Sequence, residues 1–379
     1  MNFLTEEQEI WRDTVARFME QEIGRDYIRD CDVERRYPYE GYAKVAAQGW
    51  LRLLIPEDHG GDGADIFTYA LLCEGLGKFG FDFAASVAVP TFTAMNVVHH
   101  GSDEQKADCL EPFMAGDLRF AIAISEPGAG SDAANVQTRA RLEGNQYVLN
   151  GQKLWTSGAS AENVVMAMLV RTDPEAQKHA GLSVFLVPND NPGLDIRKLP
   201  TFVRRATGSH EIFIDDCKLP TSAMLGESGQ GWSIITSHLE LERIAIAAGY
   251  VGNAQTAVDD ALRHAHERVQ FERPIFDFQV IQHMLADMQT QVDAARLMAY
   301  RAAEMAVRGL PCRREVAMAK LFASETLQTV SRQGMQILGG ASTLPESDME
   351  RYFREGMQST IGGGTSQIQR TIIARSMRS

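Results

Sequence analysis

The chain has 379 residues, of which 44% are hydrophobic and 23% charged, an ordinary globular composition with length for two or three domains. A net charge of −13 argues against a nucleic-acid or anionic-membrane partner, which would favour a basic face, although a local basic pocket stays compatible with it. Five scattered cysteines (Cys31, Cys73, Cys109, Cys217, Cys312) show no CxxC and no metal-ligand spacing. With no signal-peptide pattern, they predict a reduced cytoplasmic protein without a metal centre. No apolar run approaches the ~20 residues of a membrane span.

Residues 1–118 read as an N-terminal helical domain. An amphipathic helix starts at Thr5, with Glu in its first turn. "LLIPEDHGGDGAD" breaks the pattern, and "GSDEQKADCLEPFMAGD" reads as a capped helix leading to a turn. From Phe120 the pattern changes. "FAIAIS", "QTRARLE", "YVLNGQKLWTS", "NVVMAMLVRT", "GLSVFLVP" and "EIFIDD" are short runs separated by Gly, Asn, Asp and Pro, which predicts a middle β domain over 119–228. "LEGNQYVLNG" predicts a hairpin turning at Gly-Asn. Helical periodicity returns over 229–379. The helical–β–helical order lacks βαβ alternation, so a doubly wound fold is not expected. No GxGxxG follows a strand and no GxxxxGK[ST] occurs, which argues against a nicotinamide or nucleoside-triphosphate enzyme.

Several segments invite a ligand, each with a plainer alternative. "ISEPGAGSD" (Ile124 to Asp132) frees backbone N–H groups and adds Ser125 and Ser131, yet a glycine-rich turn after a strand is commonly a loop. "KLWTSG" (Lys153 to Gly158) ends a strand with Trp155 and two hydroxyls, or simply buries an indole. "ERVQFERPIFDFQVIQ" offers Arg268, Gln270 and Gln279, or a solvated helix-turn-helix corner. "MQILGG" suits helix C-capping. "STIGGGTSQIQR" has three glycines, which let a ligand approach the backbone closely, before a helix that Thr365 or Ser366 can cap.

In this order, with "LLIPEDHGG" near the start, these segments resemble the acyl-CoA dehydrogenase family over essentially the whole chain. The resemblance implies a mostly α fold with a central β-barrel-like domain and a C-terminal four-helix bundle. It also implies FAD, an acyl-CoA substrate, an electron-transferring flavoprotein as acceptor, and a homo-oligomer, usually a tetramer, in fatty acid or amino acid catabolism. Carried over by motif, Ile122, Ile124, Ser125, Gly130 and Ser131 would line the flavin or acyl-CoA site, and Trp155 and Ser157 would contact the isoalloxazine. Arg268, Phe271 and Gln279, with Gln336, Gly339 and Gly340, would hold FAD, partly from a neighbouring subunit, and Thr365 and Gln367 would also touch it.

One departure stands out. Many family members carry their α-proton-abstracting glutamate where this chain has Gly363, and an aromatic where it has Gly362. Either the base comes from elsewhere or the chain does not perform the α,β-oxidation. "SHLELERIAIAAG" (Ser237 to Gly249) predicts a helix on which Glu240 neighbours Arg243 in a solvated pair. Glu242 neighbours His238, Leu239, Ala245 and Ile246, and either pairs with His238 or faces a cavity that would raise its pKa. Isovaleryl-CoA and long-chain acyl-CoA dehydrogenases carry their base on this helix in a similar "LER" context, which makes Glu242 the candidate base. Ser131, Arg243 and Gly363 are the expected substrate contacts, with the Gly363 N–H donating to the thioester oxygen. Alternatives on the same scaffold are a reductase of the crotonobetainyl-CoA type, a desulfinase (which lacks the Glu before the Arg) and an inactive flavin-binding protein. "VHH" (Val98 to His100) could read a polar acyl head or be surface histidines. Arg204 and Arg205 are open between a structural pair and a CoA phosphate contact.

Overall fold

The computed structural model describes residues 4–378, with twelve α-helices and ten strands among them. They form two compact units, each assembled from discontinuous stretches. Among the described residues, one comprises residues 35–64 and 86–239; the other comprises residues 4–34, 65–85 and 240–378.

The first unit is built on a sheet whose strand order is β6 (Leu194–Lys198), β7 (Ser209–Pro220), β3 (Gln146–Ser157), β2 (Arg139–Glu143), β4 (Val164–Arg171), β5 (Leu182–Pro188) and β8 (Met224–Leu225), with β1 (Arg119–Ala123) on β4. The predicted hairpin is present: Glu143 lies opposite Gln146, and Gly144 supplies φ +66° at the turn. Pairing is not purely that of a meander, because β1 runs parallel to β4 and β3 pairs with the distant β7. Leu149, Met166, Met168, Phe185 and Ile212 centre its apolar core. Helices α3 (Tyr39–Ala47), α6 (Asp103–Ala115) and α7 (Gly231–Thr236) belong to this unit. The capped helix expected near residue 102 is α6, where Ser102 and Gln105 form a capping box.

The second unit is helical. It contains α1 (Glu6–Phe18), α2 (Arg25–Glu34), α4 (Ile66–Gly77), α8 (Leu239–Glu267), α9 (Gln279–Val307), α10 (Arg313–Leu338), α11 (Asp348–Ser359) and α12 (Ser366–Ser376). Thr5 and Gln8 cap α1 as a box. Glycines let α4 and α8 cross closely: a Cβ at Gly77 would stand 2.2 Å from the Gly249 carbonyl oxygen, and one at Gly252 2.0 Å from that of Glu74. Helix α5 (Phe81–His100) starts in this unit and continues in the other. It is long and apolar enough to cross a membrane by length and composition, contrary to the expectation that no run approaches that length, and 94% of its apolar window is buried in protein.

Two expectations from periodicity need correction. The helix carrying Glu242 starts at Leu239, two residues later than expected, because the chain breaks at Ser237 and His238 after α7. The segment after α8 is not a simple helix-turn-helix corner. It contains a hairpin of β9 (Val269–Gln270) and β10 (Arg273–Pro274), with Phe271 and Glu272 at φ +52° and +67° in its turn.

Candidate active site

In the sheet unit, β1 leads into the loop Ile124–Asp132, and β3 runs beside that loop. Leu154 N–H donates to the Ser125 carbonyl at 2.9 Å. Lys153 is fully buried, and its Nζ donates to the Ile124 carbonyl at 3.1 Å and to Glu126 Oε1 at 2.8 Å. Glu126 also accepts from the N–H groups of Gln137 and Thr138, at 2.6 and 3.0 Å. Burial pulls the Lys153 pKa down to about 8, against the attraction of Glu126. Burial alone would raise the Glu126 pKa, but Lys153 and the N–H donors together hold it below the usual carboxylate range. This pair fixes a loop whose Gly130 and Ser131 are exposed. A Cβ at Gly128 or Gly130 would meet nothing within 4 Å.

Trp155 is 57% exposed, which rules out the plainer alternative of a buried strand indole. The cause is local. The β3–β7 register shifts between Leu154 and Thr156, and Trp155 is the extra residue, at φ +67°. A bulge with a bulky residue in the left-handed region is costly and turns its side chain out of the pleat. Ile122, Ile124, Ser125 and Ser157 are half-buried nearby on β1, its loop and the end of β3. Two ambiguous features also lie in this unit. Arg204 and Arg205 fall between β6 and β7, with Arg204 at φ +55°. His99 is exposed, with Nδ1 2.9 Å from the Met95 carbonyl oxygen. His238 Nδ1 lies 3.1 Å from Asn96 Oδ1 and 2.8 Å from Ser237 Oγ.

In the helical unit, Glu242 sits in the first turn of α8. It is half-buried and makes no hydrogen bond or salt bridge with the described residues. Burial raises its pKa above the ordinary carboxylate value, and the neighbouring Arg243 charge opposes that rise. Glu240 pairs with Arg313 at 4.0 Å rather than with Arg243, because Arg243 turns to the glycine loop and donates from Nε to the Gly363 carbonyl at 3.3 Å. That loop lies over the face of α8 that bears Glu242. Ile246, four residues on, would have its Cδ1 3.2 Å from a Cβ at Gly363. Gly363 and Gly364 have φ +66° and +89°. Thr365 caps α12, accepting from the Ile368 N–H at 3.2 Å, and Gln367 is exposed on its first turn.

The remaining expected contacts lie elsewhere on this unit. Arg268 and Gln279 are exposed at the two ends of the segment that carries the β9–β10 hairpin. Phe271, 86% exposed, projects from the hairpin turn. Gln336 is exposed near the end of α10, Gly339 caps that helix at φ +58°, and a Cβ at Gly339 or Gly340 would meet nothing within 4 Å. Two buried lysines were given no role by the motifs: Lys153, which opens "KLWTSG", and Lys320, which interrupts an apolar helical face. Lys320 has Val316, Ala317 and Ala323 on its own helical face, all buried, and that interruption was the available signal.

Three acyl-CoA dehydrogenase domain families match the chain: the N-terminal domain over residues 5–117, the middle domain over 121–217 and the C-terminal domain over 229–378. The chain belongs to the acyl-CoA dehydrogenase family. It is 37% identical to a probable acyl-CoA dehydrogenase, YngJ, of Bacillus subtilis, over 100% of both chains. It is 36% identical to the human mitochondrial short-chain specific acyl-CoA dehydrogenase, over 98% of this chain and 90% of that protein. The FAD complex of PigA superposes with a TM-score of 0.93 at 29% identity, covering 100% of this chain and 99% of that one. An acyl-CoA dehydrogenase of this family is an FAD-dependent oxidoreductase with helical, β and helical domains in that order. The residues present fit FAD. Open glycine cradles occur at Gly128, Gly130, Gly339 and Gly340. An aromatic face is held outward at Trp155 at conformational cost, and exposed polar groups stand at Ser131, Arg268 and Gln336.

Proposed function

We propose that this protein catalyses the α,β-dehydrogenation of an acyl-CoA thioester, with Glu242 taking the α-proton. The observation that carries the reading is the environment of Glu242: a half-buried carboxylate without a hydrogen-bonding partner, its pKa raised, on the same face of α8 as the residue beneath Gly363. A general base works best with a pKa lifted toward the operating pH. Bound FAD supplies the acceptor for the β-hydrogen. The Gly363 N–H, which finds no acceptor among the described residues, is suited to hold the thioester oxygen as enolate character develops. Arg243 orients the loop and Ser131 contacts the substrate.

In this reading Ile122, Ile124, Ser125, Gly130, Ser131, Trp155 and Ser157 line the flavin and acyl-CoA. Arg268, Phe271, Gln279, Gln336, Gly339 and Gly340, with Thr365 and Gln367, hold the rest of FAD, in part across subunits of a homotetramer. The three domains run over 1–118, 119–228 and 229–379. An electron-transferring flavoprotein takes the electrons onward. The likeness to a short-chain specific enzyme supports a short acyl group over a branched one, since a Cβ at Gly362 would already stand 2.7 Å from Gln358 Nε2 and one at Gly363 3.2 Å from Ile246 Cδ1.

The deciding experiment is Glu242→Gln. Flavin bleaching by saturated acyl-CoA should slow by roughly 10²–10⁴-fold while the yellow cofactor stays bound; undiminished bleaching refutes the base. Retention of Glu242–Arg243 beside two glycines also suits an enoyl-CoA reductase. Anaerobic reoxidation of the reduced enzyme by an enoyl-CoA, without bleaching by saturated thioesters, would favour that direction.

A further inference from the structure

A second charged group stands behind the glycine loop. Lys320 of α10 is fully buried, and its Nζ donates to the carbonyl oxygens of Ser359 at 3.0 Å and Gly364 at 2.9 Å. No carboxylate among the described residues forms a salt bridge with it. Burying an ammonium group without a counter-ion is expensive, and the cost is visible: burial, helped by the Arg243 charge, brings the Lys320 pKa down to about 8. Glu325, which opposes that fall, is itself engaged by Arg370 at 2.8 Å.

The same loop is held from two more sides. Arg243 of α8 donates to the Gly363 carbonyl at 3.3 Å. Gln369 of α12 donates from Nε2 to the carbonyls of Gly363 and Gly364, at 3.2 and 3.1 Å. Three helices thus aim donors, two of them cationic, at the inner side of one loop. Across a trans peptide the N–H points opposite to the carbonyl. Clamping the Gly363 and Gly364 carbonyls inward therefore turns the N–H groups of Gly364 and Thr365 outward, and neither these nor the Gly363 N–H has an acceptor among the described residues.

We propose that Lys320 is a positioning residue for the reaction: it locks the glycine loop with its N–H donors outward and places behind them a positive field that favours an acyl thioester in its enolate form. A charge fixed in a low-dielectric interior acts more strongly than one in water, and hydrogen bonds to a carbonyl polarise the peptide that carries it. The inference rests on the reading that this loop and Glu242 face the acyl-CoA, but it uses Lys320 and not the base.

The test is binding, not turnover. The holoenzyme is titrated anaerobically with a 3-oxoacyl-CoA, whose α-proton is acidic enough to leave without a catalytic base, and the enolate is read by its ultraviolet absorbance against pH. The wild-type protein should bind the enolate in preference to the neutral form. Lys320→Met should weaken that preference by about tenfold or more, with flavin content unchanged. An unchanged preference in Lys320→Met, or loss of flavin and thermal stability with the preference intact, makes Lys320 a structural strut and overturns the proposal. Should Lys320→Met not fold, Lys320→Gln takes its place; and a wild-type protein without any enolate preference overturns the proposal with no variant at all. The preference should persist in Glu242→Gln. If that variant also bleaches normally, the base assignment fails while the clamp stands.

Discussion

Glu242 is subject to two opposed influences. Its place in the first turn of α8 favours the ionised form through the helix dipole, and Arg243 adds to this, but burial outweighs both and raises the pKa. For the rate, the base must be ionised, so turnover should fall as pH drops through a value above that of an ordinary glutamate; a pH profile of flavin reduction checks this, and a limb at the ordinary value counts against it. For stability the sign is reversed. Between the unfolded pKa and the raised folded pKa, the folded state binds more protons than the unfolded one, so this group's contribution to stability falls as pH rises through that window. Glu242→Gln should therefore melt higher than the wild type at neutral pH, with the difference shrinking at acid pH where both forms are neutral. A variant that melts lower at pH 7 would show the carboxylate to be a structural partner instead.

Elements carry the site through a few local rules, some readable and some not. The caps at Thr5, Ser102 and Thr365, the Gly144 turn and the Gly339 helix end follow from residue type and spacing. The Trp155 bulge does not, because nothing in the alternation of "YVLNGQKLWTS" marks an extra residue; it is set by the pairing with β7. The β9–β10 turn was equally hidden, since Phe271 and Glu272 occupy positive φ that sequence patterns reserve for Gly or Asn. The loop after β1 depends on the buried Lys153–Glu126 pair, so Glu126→Ala, which strands the ammonium group, should cost about 3–5 kcal/mol in urea unfolding. At the other loop, Gly363→Ala puts a side chain at φ +66° and 3.2 Å from Ile246 Cδ1. It should cost roughly 1–2 kcal/mol and slow flavin reduction. A neutral result at either loop would mean that its geometry is not held as described.

At the scale of the whole molecule, changes of residue pattern divide the chain at 118 and 228, and the family matches follow the same order. Contacts divide it differently, because residues 4–34 and 65–85 cluster with the C-terminal helices, and residues 35–64 with the sheet. The bonds responsible span most of the sequence, which is why no local pattern discloses them. Arg25 of α2 pairs with Asp260 at 2.9 Å, 235 residues away. Arg29 reaches Asp348 at 3.1 Å, 319 residues away, and Asp32 accepts from Arg354 at 3.2 Å, 322 residues away. Asp32, Asp260 and Asp348 are all buried, and the arginines that neutralise them lie on opposite sides of the pattern boundary at 118. A fragment of residues 1–118 thus leaves Arg25 without Asp260, Arg29 without Asp348 and Asp32 without Arg354, and leaves the apolar face of α4 without α8 and α9. It should show helical signal by far-ultraviolet circular dichroism but no cooperative urea transition, whereas the full chain should unfold cooperatively. A sharp transition in the isolated fragment would make the N-terminal helices a domain in their own right and remove the long-range ion pairs from the determinants of the fold.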